Sequence, residues 1–418
     1  MSDSYRRNHY VPQWYQKRFF SGEESERKFY YLDLIPDTIA SKSGHRYVRN
    51  STLYWGIKRC FAETDLYTTQ FSKIKSTDIE KRFFGRIDLE GKNSVECWAN
   101  YTHPSADYDA FKALLTYLSV QKLRTPKGLS FLTSVASSSD QNMIMKAMVD
   151  LHKMHSAIWT ESVWCIAHRA LDAPGFLLSD HPVTVYNPMC FPGSKVCKGA
   201  GDPDIRLIGT HTLFPLDLDK ILIFTNLSWA RNPYENPLKV RPNPDLFRAA
   251  LFNFMTVQTG RELDRSEVLK INTIIKKRAY RYIAASKEEW LYPEESLGII
   301  RWDKLSASYL LMPDPRGVQM ISEFMMGFDG GRVLAVDDYG LQPGQKDYKD
   351  RERFSHEMLT SQAFKGEYAR MFGPKRRGLT FNNVKIDNEI DSEEMHQYHL
   401  NLEAKFKAKA GIKRNSWK

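Results

Sequence analysis

The sequence predicts an α+β fold in which helices pack on a mostly antiparallel central sheet, followed by a helical, basic C-terminal extension. The first observation is a series of short apolar segments between residues 162 and 227, which brief turns separate and which therefore pair as antiparallel strands. The second is a helical apolar period, clearest at residues 107–124. We place the core at residues 1–285, and at 286–418 an extension that is mixed α/β and then helical with a basic tail.

The composition describes a folded, basic chain. Its 418 residues are 42% hydrophobic and 13% aromatic, which excludes a disordered protein and suffices for two or three domains. The net charge of +10 favours nucleic acid or another polyanion as a partner. Because no apolar run has the length of a membrane span, we expect a cytoplasmic protein without a membrane partner.

Cysteine usage predicts reduced thiols. The five cysteines are odd in number and include no CxxC pair; they are Cys60, Cys97, Cys165, Cys190 and Cys197. The last two are seven positions apart in a loop rich in Pro, Gly and Lys, which is not a usual zinc-ligand spacing. We therefore expect free thiols in a reducing compartment.

The opening segment, residues 6–20, predicts a short extended arm that docks through aromatic side chains. Pro12 fixes φ and biases the residues before it towards extended backbone, while aromatic residues follow it at helical spacing. His9 lies at the tip of the arm, where its side chain can reach a site formed elsewhere. Arg6 and Arg7 make this tip basic and are candidates for phosphate contacts.

The remaining elements are predicted from local periodicity. Strands are predicted at 29–35, 45–48, 162–169, 176–178, 183–186, 210–215 and 220–227. Helices are predicted at 78–84, 107–124, 141–159, 245–258 and 266–285. In the extension, strands are predicted at 290–302 and 306–312, a helix or strand at 320–328, and helices at 351–372 and 391–409.

Two polar residues stand out in the helix at 107–124. Its apolar stripe leads to Gln121, and Arg124 follows one turn later and can lie beside it. A buried amide without a partner costs about 1–3 kcal/mol, so Gln121 needs a hydrogen-bonding network. Either that network ties the helix to a loop, or Gln121 and Arg124 line a polar site together with His9.

The segment Ser179-Asp-His-Pro182 ends a predicted strand. Asp180 and His181 are adjacent, so in extended backbone their side chains point to opposite faces. One of them therefore faces a site and the other is structural, unless Pro182 or a bulge bends the chain. A strand-end aspartate fits a metal ligand or base, and it fits ordinary turn chemistry equally well.

Several of these segments resemble domain-of-unknown-function family 4238. The opening His9-Tyr-Val-Pro-Gln13 is similar to the start of that family, and shorter segments follow the family's layout between residues 6 and 285. These shorter segments are 28–33, 63–67, 79–81, 121–126, 178–182 and 214–216. The resemblance implies an intracellular α+β protein without an established activity. The chain departs from the family in having His181 where members often have Asn, and its last third has no counterpart.

The first functional hypothesis is a metal-assisted hydrolase, such as a nuclease, that acts on nucleic acid or another phosphate-bearing substrate. Its candidate residues, which the resemblance implies to converge, are His9, Glu80, Gln121, Arg124 and Asp180. Asp180 and Glu80 would supply oxygen ligands for a divalent metal such as Mg²⁺. His9 would act as general base or as a second metal ligand, and Arg124 would stabilise phosphate charge. Glu80 also fits a purely structural role, since a helix dipole favours a carboxylate in the first turn.

Two other hypotheses compete with the hydrolase. One is a non-catalytic module that binds nucleic acid or a protein. The other is an interaction protein whose motifs are architectural only. The basic residues that would contact phosphates are Arg6, Arg7, Lys375, Arg376, Arg377, Lys405, Lys407 and Lys409.

Overall fold

The structure is a computed structural model that describes residues 7–21, 28–40, 45–64, 66, 85–102, 107–137, 141–197, 201–242, 252–298, 300–380 and 393–412. Helices and mostly antiparallel strands occur together in the described ranges, so the predicted α+β class is confirmed. No helix in these ranges combines the length and hydrophobicity needed to cross a membrane.

The strands are β1 (Arg7–His9), β2 (Lys28–Asp33), β3 (Thr38–Ala40), β4 (Arg46–Val48), β5 (Thr52–Gly56), β6 (Ala62–Thr64), β7 (Val163–Arg169), β8 (Leu178–Ser179), β9 (Thr184–Tyr186), β10 (His211–Pro215), β11 (Lys220–Thr225), β12 (Gln258–Leu263), β13 (Tyr282–Ala285), β14 (Phe324–Gly327) and β15 (Val333–Val336). The helices are α1 (Gln13–Gln16), α2 (Gly85–Ala99), α3 (Tyr108–Leu123), α4 (Pro126–Ala136), α5 (Gln141–Glu161), α6 (Leu227–Arg231), α7 (Arg265–Arg278), α8 (Pro293–Leu297), α9 (Arg351–Phe372) and α10 (Glu393–Lys409).

A five-stranded sheet lies at the centre of the fold, in the order β12-β7-β11-β10-β9. Its pairs are antiparallel except β12, which joins β7 in parallel. Trp164, Phe224 and Thr212 are register partners and therefore share one face. Trp98 of α2 lies 4.7 Å from Trp164 between ring centroids, and Trp159 Nε1 of α5 donates to Thr212 Oγ1 at 3.1 Å. Aromatic side chains of these helices thus cover this face of the sheet.

A four-stranded antiparallel sheet, in the order β5-β2-β13-β8, gathers segments that are distant in sequence. Ile283 of β13 pairs with Leu32 on one side and with Ser179 on the other. This pairing places the start of the Ser179-Asp-His-Pro182 segment beside the strand that follows α7. Three two-stranded sheets, β1–β6, β3–β4 and β14–β15, complete the described strands.

The extension packs on the core through apolar side chains of α9. Phe364 and Tyr368 form a buried cluster with Ile208, Trp229 and Met312. Trp229 belongs to α6, which packs directly against α9, and α10 packs on α9 as well. The helical part of the extension therefore contacts the core through a shared hydrophobic cluster.

Some predicted elements are wrong. The helix predicted at 266–285 ends at Arg278, where Ala279 leaves the helical region with ψ 152° and the chain continues into β13. The strands predicted at 290–302 and 306–312 are short helical turns instead, namely Glu288–Leu291, Pro293–Leu297, Trp302–Lys304 and Ala307–Tyr309. The predicted helix at 78–84 lies outside the described residues, as do residues 245–251 of the helix predicted at 245–258. The rest of that second helix is wrong, because Phe254–Thr256 form a single 3-10 turn and β12 begins at Gln258.

Candidate functional site

The arm docks on the turn between β10 and β11. The Tyr15 hydroxyl donates to the carbonyl of Pro215 at 2.5 Å, and its ring stacks on Phe214 at 5.2 Å between centroids. Arg18 Nε donates to the carbonyl of Leu216 at 2.7 Å. The opening segment is therefore anchored through aromatic residues, as its sequence predicts.

Helix α3 meets the arm at Gln121. The Gln121 amide Nε2 donates to the carbonyl of Tyr10 at 2.9 Å, and its Oε1 accepts from Arg124 Nε at 2.8 Å. Arg124 is buried and forms an ion pair with Asp88 at 2.8 Å. Because both side chains are engaged inside the protein, the geometry favours the structural-network interpretation of Gln121 and Arg124 over a ligand-facing one.

Asp180 accepts three consecutive backbone N–H groups. Its Oδ1 accepts from Tyr280 N at 2.8 Å, and its Oδ2 accepts from Arg281 N at 2.6 Å and from Tyr282 N at 2.8 Å. Burial raises the pKa of this carboxyl, although the three N–H groups oppose the shift. Burial also raises the pKa of the Tyr10 phenol, and the nearby Asp180 carboxylate contributes to that rise. Asp180 thus fixes the start of β13 and lies near the arm at Tyr10.

The predicted metal site gains no support from the described residues. Both oxygens of Asp180 already accept backbone N–H groups, and Glu80 lies outside the described ranges. His9 is half-buried, with Gln13 Nε2 at 3.2 Å from its Nε2. In the part of the chain that the structure describes, no group of three or more His, Cys, Asp or Glu side chains is placed to hold a metal ion. The catalytic roles of His9 and Glu80 stay predictions.

His181 lies at the centre of a buried polar cluster. Its Nδ1 lies 2.8 Å from Thr125 Oγ1, and its Nε2 lies 3.2 Å from both Lys122 Nζ and Asp202 Oδ2. Lys122 donates to Asp202 Oδ2 at 2.8 Å. Lys127 donates to the other oxygen, Asp202 Oδ1, at 2.5 Å. We call these five residues the lysine cluster.

Two ammonium groups share one carboxylate in the lysine cluster. Burial would raise the pKa of Asp202, but the charges of Lys122 and Lys127 hold it well below its usual range. Burial, with the charge of Lys122, lowers the pKa of His181 to about 3, so the imidazole is neutral at pH 7. Burial also lowers the pKa of Lys122, although Asp202 opposes that shift. With both lysines charged, the cluster carries one positive charge in excess.

The sequence analysis named His181 as one of two alternatives and missed the three charged residues of its cluster, Lys122, Lys127 and Asp202. Lys122 and Lys127 flank the helix break at Thr125-Pro126, and Asp202 follows Gly201 in a glycine-rich loop. The two lysines beside this helix break were the one sequence feature that could have indicated a charged site here. Nothing local indicated that Asp202 would reach them, since it lies 80 positions from Lys122.

Some of the predicted nucleic-acid-binding residues are held in ion pairs, and others are exposed to solvent. Arg376 and Arg377 form ion pairs with Asp314 and Glu267, respectively, and Lys407 pairs with a glutamate of its own helix. The solvent-exposed members of the set are Lys375, Lys405 and Lys409. Arg6 and the side chain of Arg7 lie outside the described part of the structure. Nucleic-acid binding by this set stays a prediction.

A second charged region lies where α9 meets the core. Two cavities of about 320 and 230 Å³ share Asp350, Arg353 and Glu357 in their walls. Glu357 accepts from the Tyr339 hydroxyl at 2.8 Å and pairs with Arg231 at 3.4 Å. Burial raises the pKa of Glu357. We call the two cavities and these five residues the α9 cleft.

A buried ion pair lies behind the larger cavity of the α9 cleft. Arg241 lines this cavity and pairs with Glu161 at the end of α5. Burial raises the pKa of Glu161 to about 7, although Arg241 opposes the shift. The cleft therefore adjoins two carboxyl groups whose protonated forms are favoured by burial, which is typical of functional sites and also of structural ion pairs.

Comparison with known proteins gives one match. A family model described as "Protein of unknown function (DUF4238)" matches residues 7–289, which contain the arm, the lysine cluster and the Asp180 turn. No curated protein and no solved structure matches the chain.

Proposed function

We propose, for a chain that belongs to the DUF4238 family of proteins of unknown function, that it binds a phosphate-bearing ligand at the lysine cluster. In this proposal Asp202 is an internal counter-ion that the phosphate replaces. The observation that carries the proposal is the pair of buried ammonium groups of Lys122 and Lys127 on the single Asp202 carboxylate.

The charge balance of the cluster supports an anionic ligand. A buried cation requires a partner, and two cations that share one carboxylate are only half neutralised. A phosphate group carries up to two negative charges and three strong acceptor oxygens. It would therefore match Lys122 and Lys127 better than Asp202 does, and it would leave an oxygen for the imidazole of His181.

The position of Asp202 supports its replacement by a phosphate as the counter-ion of Lys122 and Lys127. Its side chain is 16% exposed, compared with 10% for Lys122, 7% for Lys127 and 2% for His181. Gly201, directly before it, has φ +78°, a left-handed conformation that glycine adopts readily. The lysines extend from α3 and α4, so the loop carboxylate is the member of the cluster that can leave with the least rearrangement.

The limited exposure of the lysine cluster favours a terminal phosphate group over a phosphodiester backbone. A terminal phosphate on a phosphomonoester can enter through the side occupied by Asp202, whereas the backbone of a nucleic-acid duplex presents phosphodiesters on a wide, rigid surface. We therefore propose a phosphomonoester group as the ligand. A binding role is favoured over metal-assisted hydrolysis because both oxygens of Asp180 already serve β13.

Calorimetric titration of the full chain with glycerol phosphate tests this proposal, with glycerol and dimethyl phosphate as controls. Lys127→Met should weaken binding of the phosphomonoester about tenfold or more, because a charge-assisted hydrogen bond contributes about 1.5–3 kcal/mol. Lys276→Met is a matched control, since Lys276 is equally buried and also bonds one carboxylate and one carbonyl, but lies outside the cluster. The affinity of the Lys276→Met variant for glycerol phosphate should equal that of the wild type.

Asp202→Asn keeps the proposal testable if the lysine variant does not fold. Removal of the competing charge should strengthen phosphomonoester binding, and weaker binding in this variant would overturn the exchange of counter-ions. Equal affinity for glycerol phosphate and glycerol would overturn the ligand class. Release of phosphate from p-nitrophenyl phosphate only with Mg²⁺ would instead favour the hydrolase.

A further inference from the structure

The loop that begins at Asn187 brings two cysteines together. Cys190 N donates to the carbonyl of Asn187 at 3.0 Å, and Cys197 N donates to the carbonyl of Ser194 at 3.1 Å, so a tight turn precedes each cysteine. The chain folds back between them, because the Arg278 guanidinium donates to the Cys190 carbonyl and its Nη2 also lies 3.8 Å from Cys197 Sγ. The two cysteines are therefore neighbours although six residues separate them in sequence.

A fixed cation lies against this sulfur pair. Arg278 Nη1 and Nη2 lie 3.7 and 3.8 Å from Cys197 Sγ. The same guanidinium donates to the carbonyls of Cys190 and Gly201 and lies over the Trp302 ring at 4.8 Å. These contacts hold the cation in place, and a neighbouring arginine favours the thiolate form of a cysteine.

The electrostatic consequence is opposite for the two thiols. A hydrogen bond with Cys190, together with Ser194 and Arg278, lowers the pKa of Cys197. Hydrogen bonding with Cys197 and burial raise the pKa of Cys190. Because the Arg278 cation also contacts the Cys197 sulfur, Cys197 is the more nucleophilic thiol and Cys190 reacts second.

The remaining described cysteines have different surroundings. Of the three, Cys60 is fully buried, and burial raises the pKa of Cys97 and Cys165. The loop between Cys190 and Cys197 lies at the surface, where Phe191 is 54% and Val196 43% exposed. Cys197 itself is 8% exposed, whereas Cys165 is 1% exposed. A small oxidant therefore has a shorter path to Cys197 than to Cys165.

We propose that Cys190 and Cys197 are a reversible oxidation site that reacts with hydroperoxides. The Cys197 thiolate attacks the terminal peroxide oxygen, the O–O bond breaks, and hydroxide (from hydrogen peroxide) or an alkoxide (from an organic hydroperoxide) leaves while Cys197 becomes a sulfenic acid. The Cys190 sulfur then attacks the Cys197 sulfur, and its proton leaves with the sulfenic hydroxyl as water. The dithiol loses two electrons to the peroxide, and a thiol reductant restores it. This inference does not depend on phosphate binding at the lysine cluster.

Treatment of the full-length protein with hydrogen peroxide tests the proposal. Lys195 lies between the two cysteines, so trypsin separates them unless a disulfide holds the two peptides together. We expect mass spectrometry to find this linked peptide pair at peroxide concentrations that leave Cys165 reduced, and to find it lost after dithiothreitol. Oxidation of Cys97 or Cys165 before any linked pair forms would overturn the proposal.

Variants test the order of the steps. Cys190→Ser should stop at the sulfenic acid, which dimedone traps on Cys197, whereas Cys165→Ser is the control that should form the disulfide at the normal rate. Arg278→Gln should slow the reaction about tenfold, because it removes the cation that favours the thiolate. An unchanged rate in Arg278→Gln, or dimedone trapped on Cys190 in Cys197→Ser, would overturn the assignment of Cys197 as the attacking sulfur.

Discussion

The lysine cluster and the α9 cleft both bury charged side chains, but different surroundings hold those charges. The charged groups of the lysine cluster bond to one another, and no side chain among them exceeds 16% exposure. The adjoining Asp180 is held by backbone N–H groups. In the α9 cleft, Glu357 is held by the side chains of Tyr339 and Arg231 and faces open cavities.

The type of hydrogen-bond donor decides whether a buried carboxylate is fixed by the fold or can rearrange. Backbone N–H donors are fixed by the strand that carries them, so Asp180 contributes to the fold and cannot be moved without loss of β13. Side-chain donors can rotate, and carboxyl groups beside a cavity can gain or lose protons. Asp180 thus makes structural contacts, whereas the proposed phosphate exchange uses Lys122, Lys127 and Asp202, whose ion pairs join side chains.

Asp180→Ala should produce the largest effect. It leaves three backbone N–H groups without their acceptor, each worth about 1–3 kcal/mol, so the free energy of unfolding should fall by about 4 kcal/mol. Urea unfolding measures this change. Asp219→Ala is the control, since the exposed Asp219 pairs with Arg169 at the surface and should contribute less than about 1 kcal/mol. Equal effects of the two substitutions would refute the structural role of Asp180.

Glu357→Gln should have a smaller effect, about 2 kcal/mol. The amide oxygen still accepts from Tyr339, and Arg231 keeps its ion pair with Asp338 at 2.7 Å after the charge of Glu357 is lost. Thermal and urea unfolding of this variant beside Asp180→Ala compare the two regions directly. A loss as large as that of Asp180→Ala would mean that the α9 cleft is as rigidly structural as the Asp180 turn.

The pH dependence of stability should report Glu161. Its pKa in the folded protein is about 7, above the usual 4.5, so between these values the folded chain binds more protons than the unfolded chain. The free energy of unfolding should therefore fall as the pH rises from 4.5 to 7, with a contribution from Glu161 on the order of 1 kcal/mol.

Glu161→Gln should remove this contribution and flatten the stability profile over the same pH range. Glu394→Gln is the control, because Glu394 is exposed in the first turn of α10 and its loss should leave the profile unchanged. Urea unfolding at several pH values measures the difference between each variant and the wild type. Parallel profiles for Glu161→Gln and the wild type would show that Arg241 keeps Glu161 ionised throughout.

The combined Lys405→Gln and Lys409→Gln substitution should have the smallest effect. Both lysines are exposed and lie 5.4 and 5.8 Å from the Phe406 ring, so stability should change by less than about 0.5 kcal/mol. If the chain binds nucleic acid through these residues, each lost phosphate contact should reduce the salt slope of binding by about 0.9. An unchanged salt dependence would exclude both lysines from such an interface.

Local pattern alone determined several helices and strands. The sequence predicts a helix at 351–372, and α9 spans Arg351–Phe372. It predicts a helix at 107–124, and the structure has Asp107 as the N-cap of α3. The strand predicted at 162–169 appears as Val163–Arg169. A helix is recognised from side chains three or four positions apart, and a strand from alternation along the chain. Both patterns are visible in the linear sequence.

Only the tertiary structure decided which polar residues meet. Asp180 accepts N–H groups 100 or more positions away, and His181 contacts Lys122 across 59 positions. The end of α7 was likewise decided by long-range pairing, because Tyr282–Ala285 hydrogen-bonds to β2 and β8 although its apolar residues also continue the helical period. Contacts of this kind depend on how complete sheets and helices pack, and no window of neighbouring residues carries that information.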